Sequence, residues 1–214
     1  MKLPKFYHII AAIIVLFVIT SFQPLISSDY SSLVLLLIFS AAIILVAVFS
    51  KKIMADFLDA SVEHKIWGTR RYWFRPHDYL NIEIPLGIIL PIFFSFFSIG
   101  YLKVMTLLTF ETQALKRRVA KRHGFFSFTE MTDWHDGLIG AAGIFSILLL
   151  ALIAYLLPIP ALETLSKLAA YYAFFNMLPI GALDGYKILN GSRVLYTTLA
   201  IVTLIFTAYA LLLV

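Results

Sequence analysis

Cysteine is absent from the 214 residues. That excludes a disulfide framework and any thiolate metal centre, so a metal bound here would need His and carboxylate ligands. Charge is also scarce: Asp, Glu, Lys and Arg make up 14% of the chain, against 61% hydrophobic residues. A soluble domain carries about 25% and about 45–50% of these classes. A water-soluble fold is therefore excluded, and there is no room for a large soluble domain beside the apolar segments. Acidic side chains are outnumbered by basic ones, 12 to 17. In a chain this apolar the excess sets topology, because basic residues collect in cytoplasmic loops; it is not read as a nucleic-acid surface.

What is there is a series of apolar runs, each near the roughly 20 residues that a bilayer core demands. The first covers residues 7–26, behind Lys2 and Lys5, and ends in turn chemistry at Pro24, Ser27 and Ser28. Without a small-x-small cleavage site after it, this run reads as a retained span and not a removed signal. A second run, Ser32 to Ser50, forms a hairpin with it, and Lys51, Lys52, Lys65, Arg70, Arg71 and Arg75 follow. The positive-inside rule places the N-terminus and this basic loop in the cytoplasm. Residues 53–68 mix apolar and charged positions at helical spacing, which predicts a helix continuing from the second span or lying along the membrane surface. Trp67, Tyr72, Trp73 and Tyr79 fit an interfacial aromatic belt.

The stretch from Ile82 to Phe110 is apolar but broken by Pro85, Gly87, Pro91 and Gly100, with basic residues on both flanks. That pattern predicts a broken hairpin or re-entrant segment with both ends cytoplasmic, lining the protein interior where irregular backbone is tolerated; a single imperfect span is the alternative. Further spans are expected at 137–157, 165–183 and 194–214. The predicted fold class is all-α: a polytopic helical membrane protein of about six membrane segments. It divides into an N-terminal transmembrane helix and loop (1–31), a membrane core (32–190) and a C-terminal transmembrane helix (191–214).

Chemistry concentrates in Asn176-Met-Leu-Pro179-Ile-Gly-Ala-Leu-Asp184-Gly185. An ionisable residue inside an apolar span is a functional hypothesis by default. Pro179 is expected to bend the helix and Gly185 to let the backbone turn, holding the Asp184 carboxylate inward; a helix end capped by Asp-Gly is the alternative. This stretch resembles the Asn-x-x-Pro-x-x-x-Leu-Asp-Gly motif of the site-2 protease family of intramembrane zinc metalloproteases. Ala142-Gly143-Ile144-Phe145-Ser146-Ile147 is similar to the family's Ala-Gly-Pro-x-x-Asn segment, with Ile144 and Ile147 in place of its Pro and Asn. The likeness covers residues 32–190 and implies a site-2-protease-like core, zinc as cofactor, Asp184 as a metal ligand, Asn176 beside the substrate and a transmembrane protein as substrate or partner.

The family's His-Glu-x-x-His helix has no counterpart here. In the nearest register, Ala60-Ser61-Val62-Glu63-His64, His64 matches the second zinc-binding His, while Ala60 and Ser61 replace the first His and the catalytic Glu. On a helix Asp56, Asp59 and Glu63 would share a face flanked by His64. Glu63 is then the candidate catalytic base beside His64, or Asp59 and Glu63 could join Asp184 around a hard cation; the alternative is that these acids form the solvated face of a surface helix and balance the basic loop. Against this, a straight helix puts His64 about 19 Å beyond Lys51, past the interface that Lys51 and Lys52 are expected to mark. His135-Asp136 reads as a helix cap, and His8, His77 and His123 as interfacial or solvated residues.

Three functions remain open. One is a site-2-protease-like protein with a degenerate catalytic motif that binds membrane partners. Another is an active zinc metalloprotease using His64, Asp184 and a carboxylate. The last is a small transporter in which Asp184 serves a solute or proton path.

Overall fold

The computed structural model describes residues 6–71, 79–115 and 130–212. Seven helices occur among them: α1 (Phe6–Ile26), α2 (Leu33–Phe57), α3 (Leu86–Phe97), α4 (Asp133–Leu156), α5 (Pro160–Met177), α6 (Asp184–Gly191) and α7 (Arg193–Leu212). Four of these, α1, α2, α4 and α7, are long and apolar enough to cross a membrane. The expectation of an apolar, membrane-type helical protein is met at that level. The all-α expectation needs correction, since four short strands are also present: β1 (Ala60–Ile66), β2 (Thr69–Arg71), β3 (Tyr79–Ile84) and β4 (Leu108–Ala114).

Helix α4 is the centre of the bundle, packed against α2, α5 and α6. Its sequence explains why. Gly137, Gly140, Ala141, Gly143, Ala151 and Ala154 are all buried, and small side chains let neighbouring backbones approach closely in an apolar medium. Around it lie Leu16 and Ile19 of α1, Ile43 and Ile44 of α2, and Ala169 and Ala173 of α5, all sealed from solvent. By contrast α7 is peripheral, with 17% of its apolar window buried against 56% for α4.

The helix expected over 53–68 stops early. Helix α2 ends at Phe57, and Asp59 takes a left-handed backbone, φ 51°, a conformation short polar side chains tolerate. The chain then turns back as β1, which pairs antiparallel with β4 from Ala60↔Ala114 to Ile66↔Leu108. The reason is tertiary: the Ala60–Ile66 segment can satisfy its backbone against a Thr-rich partner some 50 residues away, a pairing that helical spacing within 53–68 does not display. Trp67 is also corrected. It is 7% exposed, its N–H donates to the Leu107 carbonyl at 2.9 Å and its carbonyl accepts from Gly87 at 2.7 Å, so it joins the interior and not an aromatic belt. Tyr72 and Trp73 lie outside the described residues, as do Arg75, His77, His123 and the basic run 116–122.

The 82–110 stretch begins in β3, which pairs with β2, and continues as α3, twelve residues long with Pro91 inside it. At the end of α3 the chain reverses tightly, with Ile99 at φ 54° and Gly100 at φ 79°. Gly100 sits against the backbone of Gln23 at the far end of α1. From there residues 102–107 return without helical bonds and feed β4. Their side chains from Val104 to Leu107 are buried, so an extended strand of backbone passes through the protein interior and must find hydrogen-bond partners there.

Candidate functional site

Asp184 opens α6. Helix α5 has ended at Met177, Pro179 follows that end, and a short loop carries the chain to α6. Pro179 therefore sits after a helix instead of bending one. The loop's tight turn belongs to Gly181, φ 60°, where an added Cβ would meet the Trp67 indole at 3.1 Å. Gly185 is helical and is small for a different reason: a Cβ there would run into the Met177 carbonyl. That close approach holds the start of α6 against the end of α5. A carboxylate in the first turn of a helix also gains from the helix dipole.

The partner of Asp184 is Lys51. Its Nζ lies 2.5 Å from Asp184 Oδ2, with the two side chains 3% and 2% exposed. Lys51, expected at the membrane interface, instead turns into the bundle from α2. Room for its stem comes from Gly143 of α4, where a Cβ would overlap the Lys51 methylenes. One turn further along α4, Ser146 Oγ donates to Ser50 Oγ at 2.8 Å. The two motif segments, around Gly143 and at Asp184, thus converge on Ser50 and Lys51 of α2. The helix expected through Ala60–His64 is corrected, because α2 ends at Phe57 and Ala60–Ile66 is strand β1.

Phe110 forms the floor. Lys51 Nζ stands 5.0 Å and Lys187 Nζ 3.6 Å from its ring centroid, cation–π contacts that grow stronger when desolvated. Lys187 also donates to the Phe110 carbonyl. Burial lowers the pKa of Lys187, with Asp136 and Asp184 acting to raise it. Asp136, in the first turn of α4, accepts from Thr112 of β4. His135 bonds through Nδ1 with Thr132, the N-cap of α4, so the cap expected at His135-Asp136 falls on Thr132 and the pair lies within the helix that follows it.

His64 lies on β1 opposite Phe110 and is 5% exposed, with no hydrogen bond to Nε2 among the described residues. Burial depresses its pKa first, followed by the charges of Lys51, Lys52 and Lys187. Its pairing with Phe110, whose ring both lysines contact, places it in their neighbourhood. Glu63 is its neighbour in sequence but not in space, because consecutive residues on a strand face opposite sides. Glu63 sits across from Glu111, on the side where Lys65 and Glu111 form an exposed ion pair of 2.6 Å. The structure therefore gathers His64 near Lys51 and Lys187, and Asp184 on Lys51, and leaves Glu63 on the other face. Asp59 lies in the turn before β1.

Asn176, 1% exposed, donates from Nδ2 to the Met105 carbonyl at 3.1 Å and the Tyr172 carbonyl at 2.8 Å. It supplies a donor to the extended segment that crosses the interior. Thr109 adds a second link, donating to the Ala182 carbonyl at 2.5 Å. Lys51 and Lys187 were missed by sequence reasoning. The signal was available: a lysine inside an apolar helix and an aspartate inside an apolar stretch are natural partners.

As for zinc, three protein ligands are needed even for an open site. Among the described residues no three His, Asp or Glu side chains come together as such a set. The Asp184 carboxylate faces an ammonium group, and a divalent cation there would be set against Lys51 and Lys187. Comparison with protein-family models, with curated proteins and with solved structures finds no match to this chain.

Proposed function

We propose that the chain is a multi-pass membrane protein of site-2-protease-like organisation whose polar centre holds an internal ion pair in place of a metal, and that it binds transmembrane partners without cutting them. One observation carries this reading: the Lys51 ammonium lies on the Asp184 carboxylate, the group that the family likeness assigns to zinc. An internal cation neutralises the buried acid and occupies its Oδ2. In this reading α1, α2, α4, α5 and α7 span the bilayer, α3 with its extended return forms a re-entrant sixth segment, and the N-terminus is cytoplasmic with the basic loops.

The test is elemental analysis of the purified protein, wild type beside His64→Ala and Asp184→Asn, together with photocrosslinking in membranes and a cleavage assay on the crosslinked partner. The expected result is no stoichiometric metal, crosslinked membrane proteins and intact partners. Near-stoichiometric zinc lost in both variants would overturn the proposal in favour of an active metalloprotease. Among the described residues the buried His64 Nε2 and Asp184 Oδ1 have no hydrogen-bond partner, which favours that second reading.

A further inference from the structure

A groove of 640 Å³ runs between α5, α7 and the turn that follows α3. Its walls change character along its length. Tyr171, Phe174, Phe175 and Leu204 line one end, while Gln23, Lys103 and Thr164 stand at the other. Lys103 also lines an adjoining cavity of 320 Å³ with Thr20, Ser27, Asp29 and Ser32, so an apolar trough and a hydroxyl-rich pocket meet at one lysine.

The two lysines of the groove differ. Lys167 is held by Glu163 at 2.9 Å, whereas Lys103, half-buried, has no ion-pair partner among the described residues. The one acid in the hydroxyl-rich pocket, Asp29, accepts from Ser31 at 2.6 Å. An uncompensated cation next to apolar walls is costly in a bilayer. A phosphate would neutralise it, and an acyl chain would fill the trough beside it. The groove lies within the usual range of about 300–1,000 Å³ for small-molecule sites and is too small for a transmembrane helix about 10–12 Å across.

We propose that this groove binds one anionic glycerophospholipid, with its phosphate on Lys103, its headgroup hydroxyls in the Thr20–Asp29 pocket and an acyl chain along Tyr171, Phe175 and Leu204. The site rests on the membrane placement of the preceding reading but not on its ion pair or its protein partner, since neither enters the groove.

The full chain is reconstituted in vesicles of equal parts phosphatidylglycerol and phosphatidylcholine, extracted in mild detergent and weighed by native mass spectrometry. One phosphatidylglycerol per chain is expected, in preference to phosphatidylcholine. Lys103→Glu should lower that preference by about fivefold or more, given roughly 1 kcal/mol for each basic residue near an anionic lipid. Lys103→Arg should keep it. Ala208→Phe, which fills the trough away from the charge, should reduce retention of both lipids. Equal retention of the two lipids by wild type overturns the proposal. So does an unchanged preference in Lys103→Glu, full retention in Ala208→Phe, a copurifying peptide in place of lipid, or loss of the preference on adding inorganic phosphate. Because the wild-type comparison needs no variant, a misfolded Lys103→Glu protein leaves the proposal open to refutation.

Discussion

Lys51 Nζ and Asp184 Oδ2 are 2.5 Å apart in a space almost closed to solvent. Each offsets part of the cost of burying the other, so the pair matters more for what its breakage leaves behind than for its net attraction. Lys51→Met strands a buried carboxylate, and the expected loss is about 3–5 kcal/mol. Lys51→Met combined with Asp184→Leu removes both charges and should recover most of that. Thermal unfolding in detergent of the two single variants and the double closes a mutant cycle. A double variant no more stable than the singles would mean the pair does not act as one unit.

A second expectation concerns acid. His64 is neutral in the folded protein, its pKa depressed by burial and then by Lys51, Lys52 and Lys187, whereas an unfolded histidine titrates near about 6.5. The unfolded chain therefore binds the extra proton first. The stability contributed by neutral His64 is complete above about pH 6.5 and falls as the pH drops below that value, by up to about 1.4 kcal/mol per pH unit. Melting temperatures from about pH 7.5 down to about pH 5 should decline in wild type more steeply than in His64→Gln. Parallel curves would place the titrating group elsewhere.

How far the fold could be read from sequence varied with the physics behind each segment. Runs such as 7–26 and 137–157 announce themselves because length and hydropathy alone decide a span, and α1 and α4 lie there. The Ala60–Ile66 strand was hidden. Its charges at helical spacing mimic an amphipathic helix, and only the Leu108–Ala114 strand, absent from any local window, selects the extended form. The site was half legible for the same reason. Asp184 and Asn176 stood out as polar residues in apolar surroundings, but the depth of Lys51 depends on Gly143 of another helix. Pattern within one segment cannot supply that.

Asn176 has its own consequence. Its amide holds the Met105 carbonyl of an extended segment that has no helical bonds of its own. Asn176→Leu leaves that carbonyl buried without its donor, at an expected cost of about 1–3 kcal/mol. Local loosening should follow: amide exchange across residues 102–107 should accelerate before the four long helices are affected. Uniform acceleration throughout the chain would argue that Asn176 supports global stability and not this segment in particular.

Two glycines separate backbone fit from charge placement. At Gly185 an added methyl meets the Met177 carbonyl and the Leu178 backbone, which cannot swing aside, so Gly185→Ala should destabilise by about 1–3 kcal/mol or more through overpacking. At Gly143 the obstacle is the flexible stem of Lys51, which can move at the expense of its grip on Asp184. Gly143→Ala should therefore weaken the ion pair without prying α6 from α5. In that background Lys51→Met should cost measurably less than in wild type, because part of the pairing is already lost. In the Gly185→Ala background its cost should stay closer to the wild-type value. Equal costs of Lys51→Met in the Gly143→Ala and wild-type proteins would show that Lys51 keeps its place without the space that Gly143 provides.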